Sequence, residues 1–149
     1  MISPAKRRPP RAYRDEVPAL PWTTVSNPAD PAGACTIFAA RLPLRHYREM
    51  PRLLWLTLRV RRQLTHTPGL LGYAIGMEIR HKTLWTSSAW AHRTGLAAFD
   101  QAAAHQTAKQ VLRNAILAPT FAVWTCSLDQ LPVSWQETRA HLEAVSKRS

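Results

Sequence analysis

From residue 34 onward the chain switches between two hydrophobic rhythms, and the switches mark its elements. The stretch ACTIFAARL, 34–42, alternates with a period of two, with Cys35, Ile37 and Ala39 on one face and Thr36, Phe38 and Ala40 on the other, and predicts a strand. YREMPRLLWLTLRVRRQLTH, 47–66, changes to a helical rhythm, with Leu53, Leu54, Leu56, Leu58, Val60 and Leu64 as its apolar set and arginines outside. Pro51 is tolerated because it falls in the first turn, and the Pro-Gly of HTPG, 66–69, stops the helix. LLGYAIGMEI, 70–79, returns to strand rhythm, with Leu71, Tyr73, Ile75, Met77 and Ile79 on one face. Its other face carries Leu70, Gly72, Ala74 and Gly76, small enough to predict the close approach of something bulky. RHKT, 80–83, links to a third strand, LWTSSAWA, 84–91, with Trp85 and Trp90 on opposite faces. A helical stretch over 94–116 bends near 101–104, and TFAVWTCSL, 120–128, is the fourth strand. SWQE, 134–137, is a capping box that opens a last helix over 135–147, with Ser134 as cap and Glu137 at the third position.

Strand, helix, strand, strand, helix, strand is the ferredoxin-like βαββαβ order. The predicted class is α+β: a four-stranded antiparallel sheet, two helices on one face, and an extra C-terminal helix. Residues 1–20 read as a basic, proline-rich tail and 21–149 as a single domain, with Trp22 of PALPW docking on its body. Strands one, two and four carry no charge along their middles on either face, so both sheet faces are expected to be buried. A second copy of the sheet, giving a homodimer, is the simplest cover; the tail and last helix are the rival.

Composition changes this picture little. About 115 folded residues suffice for a real core, and 46% hydrophobic content is ordinary for a globular chain. No apolar run is long enough to span a membrane, and the N-terminus lacks the apolar stretch of a signal peptide, so a cytoplasmic protein is expected. Cys35 and Cys126 read as reduced, buried thiols. The net charge of +11 raises nucleic acid as a partner. The charge, however, sits in the tail (Lys6, Arg7, Arg8, Arg11, Arg14) and along the first helix (Arg45, Arg48, Arg52, Arg59, Arg61, Arg62). Neither zinc-finger spacing nor an aromatic RNA-binding signature accompanies it, so no specific nucleic-acid partner is expected. There is also no Gly-rich phosphate loop, no zinc-type Cys/His cluster and no nucleophile elbow.

The motifs LPW, RLPL, RRQL with TPGLLGY, LWTSSAWAHRTGLAAFDQAAAH and the closing LPVSW are similar to those of the dimeric α+β barrel superfamily, over residues 20–143. That superfamily contains antibiotic-biosynthesis and haem-degrading monooxygenases, and the closest likeness is to small bacterial members of the same build. The resemblance implies a pocket between helices and sheet, faced by a helix histidine at position 105. In the haem-degrading branch such a histidine ligates iron, helped by an Asn on the first strand and a Trp in the second helix. This chain has neither, which speaks against haem degradation but leaves haem binding open.

The residues themselves also single out His105. With Ala108, Leu112 and Ala115 it forms one helical face at spacings of three, four and three. An imidazole among alanines beside a cavity can act as general base or ligand, or be a structural group bonded to a strand carbonyl or to Ser88. Trp85, Trp90, Phe38 and Tyr73 are the expected walls of a substrate pocket, with Ser88 as hydrogen-bonding group, His46 and Tyr47 at its mouth, and Arg41 for a carboxylate or haem propionate. The expected activity is that of a cofactor-independent monooxygenase on an electron-rich aromatic, polyketide-like substrate, with His105 as base and no metal. The alternatives are a haem protein with His105 as axial ligand, a cyclase, isomerase or dehydratase using the same pocket, and a non-catalytic ligand-binding dimer.

Overall fold

A computed structural model of the protein describes residues 22–25, 33–101 and 103–148; the basic, proline-rich segment 1–20 lies outside them. Among the described residues five strands and four α-helices follow in order: β1 (Thr23–Thr24), β2 (Ala34–Pro43), α1 (Met50–Leu64), β3 (Leu70–Glu78), β4 (Thr83–Trp90), α2 (Arg93–Gln101), α3 (Ala103–Leu112), β5 (Thr120–Ser127) and α4 (Trp135–Lys147). The sheet is antiparallel with strand order β1-β3-β4-β2-β5. Four of the strands are those expected from the alternating pattern, in ferredoxin-like order. The fifth, β1, is a two-residue strand that pairs with β3 at Tyr73 and Gly72, too short for periodicity to reveal.

The second helical stretch is two helices, α2 to Gln101 and α3 from Ala103, divided within the range where the bend was expected. The Ser134 cap forms as read: the Glu137 amide donates to Ser134 Oγ at 3.1 Å, and α4 starts at Trp135.

Of the small face expected on β3, Gly72 is small because of Trp22. A Cβ built on Gly72 would stand 2.5 Å from the Trp22 indole nitrogen, well inside contact distance. The docked Trp22 and the Gly72 gap are therefore one feature. A register shift between Leu70 and Gly72 corrects the expected faces of β3. Leu71 does not share a face with Tyr73: it packs with Cys35, Ile37 and Ala89, whereas Leu70 packs with Tyr73 and Trp90. An irregularity of this kind shifts alternation by one residue, which simple period-two counting cannot detect.

Helices α1, α2 and α3 lie over one sheet face. The other face is covered by α4, whose Leu142 packs with Ala39, Trp85 and Ala122, and by Trp22, Leu128, Leu131 and Val133 around Cys35, Ile37 and Ala89. The chain itself covers the α4 face, but the opposite face is not wholly buried as expected: Phe121, Val123 and Thr125 on the edge strand β5 are exposed, because α1, α2 and α3 do not reach over that edge. A homodimer formed sheet to sheet would have to displace α4.

Candidate functional site

A cavity of about 790 Å³ lies between the sheet and the layer formed by α1, α2 and α3. Its floor is the face of the sheet that α4 does not cover: Phe38 from β2, Tyr73 and Ile75 from β3, Thr86 and Ser88 from β4. The roof comes from α1 (buried Leu53 and Leu56, half-buried Val60) and from Ala108 and Leu112 of α3. The small Ala108 side chain leaves space under the roof that a larger residue would fill. Phe121 and Val123 on β5 also line the cavity, yet they are 49% and 46% exposed, so it opens along the β5 edge.

His105 is in the wall of this cavity with 24% of its side chain exposed. Its environment follows from the junction between α2 and α3. The Asp100 carbonyl, near the end of α2, accepts from Gln106 Nε2 at 2.8 Å and contacts His105 Nδ1 at 3.2 Å. A carbonyl oxygen can only accept, so Nδ1 carries the proton and Nε2 keeps its lone pair. The Asp100 carboxylate reinforces this, with Oδ1 3.2 Å from the same Nδ1, and Lys109 Nζ binds that Oδ1 at 2.6 Å. Phe99 supports the ring, with centroids 4.7 Å apart. Burial pushes the imidazole pKa below its ordinary value, and the Lys109 cation adds to this; the Asp100 carbonyl and carboxylate oppose it without prevailing. The group is therefore a neutral imidazole near pH 7 with its basic nitrogen unclaimed by Asp100.

The structure divides the other expected site residues. Phe38, Tyr73 and Ser88 line the cavity with His105. The Tyr73 hydroxyl accepts from Arg61 Nε at 2.8 Å. Ser88 Oγ accepts from Trp90 Nε1 at 2.9 Å and lies 3.3 Å from the Phe38 carbonyl. Trp90 itself is fully buried, its ring 5.6 Å from Phe99, so it stands behind the wall and not in it. Trp85 is on the wrong face: it packs under α4, donates to Glu78 Oε2 at 3.1 Å, and is overlain by Arg41 at 5.5 Å and Arg139 at 5.1 Å. Cys35, Ile37 and Ala39 of β2 and Ala89 of β4 pack on that same side, and Arg41, stacked on Trp85, does not line the cavity. His46 and Tyr47 are exposed and do not line it; the Tyr47 hydroxyl donates to the Arg80 carbonyl at 3.1 Å. Glu78, without an evident partner in the sequence, joins β3, β4 and α4 through His81, Trp85 and Arg139. Burial raises its pKa, but hydrogen bonds from His81 and Trp85 and the Arg139 cation prevail and lower it.

Asp100, Lys109 and Phe99 were not identified from the sequence. Asp100 precedes His105 by five residues, outside the three- and four-residue spacings that bring helical side chains together, and only the helix junction joins them. The thiols of Cys35 and Cys126 face each other across β2 and β5 within hydrogen-bond reach at 3.3 Å; Cys35 is buried as expected, whereas Cys126 is only half-buried. Burial pushes Cys126 up to about 12, with the Cys35 thiol contributing. Among the described residues no cluster of His, Cys, Asp and Glu could hold a metal ion.

This architecture is that of the antibiotic biosynthesis monooxygenase fold. A candidate antibiotic biosynthesis monooxygenase from Nitrosomonas europaea superposes with a TM-score of 0.58 at 12% identity, over 68% of this chain and 95% of that one. SnoaB, a cofactor-independent oxygenase from Streptomyces nogalater, matches with a TM-score of 0.54 at 11% identity, over 66% of this chain and 97% of that one. A candidate monooxygenase from Fusobacterium nucleatum matches at 0.59 and 7% identity over 72% of this chain, which spans only 48% of that longer protein. No family model and no curated protein sequence matches the chain.

Proposed function

We propose that the protein is a small-molecule enzyme of the cofactor-independent monooxygenase type, acting on an electron-rich aromatic substrate held between α1, α3 and the sheet. The observation that carries this reading is a large apolar cavity whose wall holds one neutral imidazole in a defined tautomer. A phenol or anthrone placed against the Tyr73 and Phe38 floor would lose a proton to His105 Nε2. The resulting carbanion is itself the reductant for dioxygen: a ring CH₂ plus O₂ becomes a ring C=O plus water, with no electrons left to supply. The chain's own tasks are to orient the rings, exclude water and hold the proton. Asp100 would stabilise the imidazolium formed, as a carboxylate on the far nitrogen does in other acid–base sites.

The test is oxygen consumption with a panel of hydroxylated anthrones. The expected result is turnover that falls ~10²–10⁴-fold in His105→Ala. Full turnover in that variant would remove His105 from the role, and product formed equally well without dioxygen would assign the cavity to an isomerase or cyclase.

Haem binding is the second reading, because an imidazole whose Nδ1 is held by an oxygen is also a pattern of metal-ligating histidines. His105 Nε2 would then be the axial ligand. Haemin titration decides: a Soret shift that is lost in His105→Ala supports it, and a shift indifferent to the substitution removes it.

A further inference from the structure

Helix α1 is apolar on both sides. Its inner stripe, Leu53, Leu56 and Leu64, is buried. On the outer side Leu54, Trp55 and Leu58 are 48%, 57% and 58% exposed. At about 100° per residue, these three and Arg62 occupy the sector opposite the inner stripe, with Arg52 and Arg59 beside them. Arg59 lies over the Trp55 ring at 4.9 Å. Residues 45–64 hold six arginines against one glutamate, Glu49, which pairs with Arg48 at 4.0 Å and Arg52 at 3.7 Å. Among the described residues no carboxylate pairs with Arg59 or Arg62.

We propose that the outer face of α1 docks on an anionic lipid bilayer. The pattern meets that environment on each count. Arginines extend their charged heads to lipid phosphates while their stems lie along the apolar boundary. Trp is at home at the headgroup level, and Leu54 and Leu58 enter the acyl edge. The other occupants fit less well. A second copy placed face to face would set these arginines against their own counterparts. Nucleic acid would satisfy the arginines and leave Leu54 and Leu58 with nothing to bury against. The proposal is independent of what His105 does, yet it gives α1 a double role: the inner stripe roofs the cavity, so docking brings that cavity within one helix diameter, ~10 Å, of the lipid.

The experiment uses the full chain with phosphatidylcholine vesicles and with vesicles containing one quarter phosphatidylglycerol. The expected result is co-sedimentation with the anionic vesicles, weakened at least ten-fold by Leu54→Ser with Leu58→Ser and, separately, by Arg59→Glu with Arg62→Glu. These side chains point outward, and unchanged thermal melts would confirm that the fold survives. Brominated lipid should quench tryptophan emission of the unaltered chain, and Trp55→Phe should still sediment while losing most of that quenching. Equal binding to neutral vesicles, or none to either, would overturn the proposal. Affinity unchanged by the leucine substitutions would also overturn it and assign binding to Lys6, Arg7, Arg8, Arg11 and Arg14. Tighter binding to a single-stranded RNA than to anionic vesicles would give the face to nucleic acid instead.

Discussion

At the scale of single residues the account depends on how His105 is held. Its Nδ1 is bound to Asp100, its ring is against Phe99, and Lys109 stands near enough to oppose protonation. An NMR titration should therefore give His105 a pKa below the ordinary histidine value of about 6.5. Lys109→Met should raise it, because one opposing cation is gone and Asp100 is freed to attract the proton. A lowered histidine pKa means that the unfolded chain binds the proton first as pH falls. Stability should then be full above about pH 6.5 and decline as pH drops toward the folded value, with no further loss from this group below it. Turnover that needs the neutral base should lose activity over an acidic limb centred below 6.5. A His105 titration at or above the ordinary value would contradict this description. The histidine was visible in the sequence because it stands among alanines on a helical face. Asp100 and Lys109 were not, since the contact depends on the Asp100 groups at the α2–α3 junction, and residue spacing carries no signal for that.

At the scale of elements, alternation and capping located β2 to β5, α1 and α4 to within a few residues. The reading failed where one residue shifts a pattern. The irregularity near Leu71 moved that side chain to the α4 side, and strand parity alone could not say which face would be roofed, so Trp85 and Arg41 were placed in the wrong compartment. Three predictions belong here. Leu142, 1% exposed, anchors α4 on Ala39, Trp85 and Ala122, so Leu142→Ala should cost about 2–5 kcal/mol in chemical denaturation. Loss of the Ser134 cap in Ser134→Ala should cost about 1 kcal/mol. Gly72→Ala should evict Trp22, because its Cβ would overlap the indole. The Val25 amide, which donates to the Leu71 carbonyl at 2.8 Å, should then exchange with solvent faster. Unchanged protection at Val25 would show that Trp22 is not seated there.

The whole molecule is a sheet with two different covers. The α4 side is packed solid, with Ile37, Ala39 and Ala89 at 0% exposure, and serves stability. The opposite side keeps a void under α1 and α3, and that is where chemistry can occur. The sequence pattern predicted two buried faces; it could not tell that α4 would close one of them, nor that the other would stay open along β5. Among the described residues no helix is long and apolar enough to cross a membrane. The most direct test is of the void itself. The chain, labelled with ¹⁵N at histidine, would be titrated with a hydroxylated anthraquinone, a product-like flat aromatic. The account predicts saturable one-to-one binding with a shift of the His105 Nε2 resonance, abolished when Ala108→Phe fills the space beneath the roof. Binding that leaves His105 unmoved and survives Ala108→Phe would place the ligand elsewhere and contradict the proposed site.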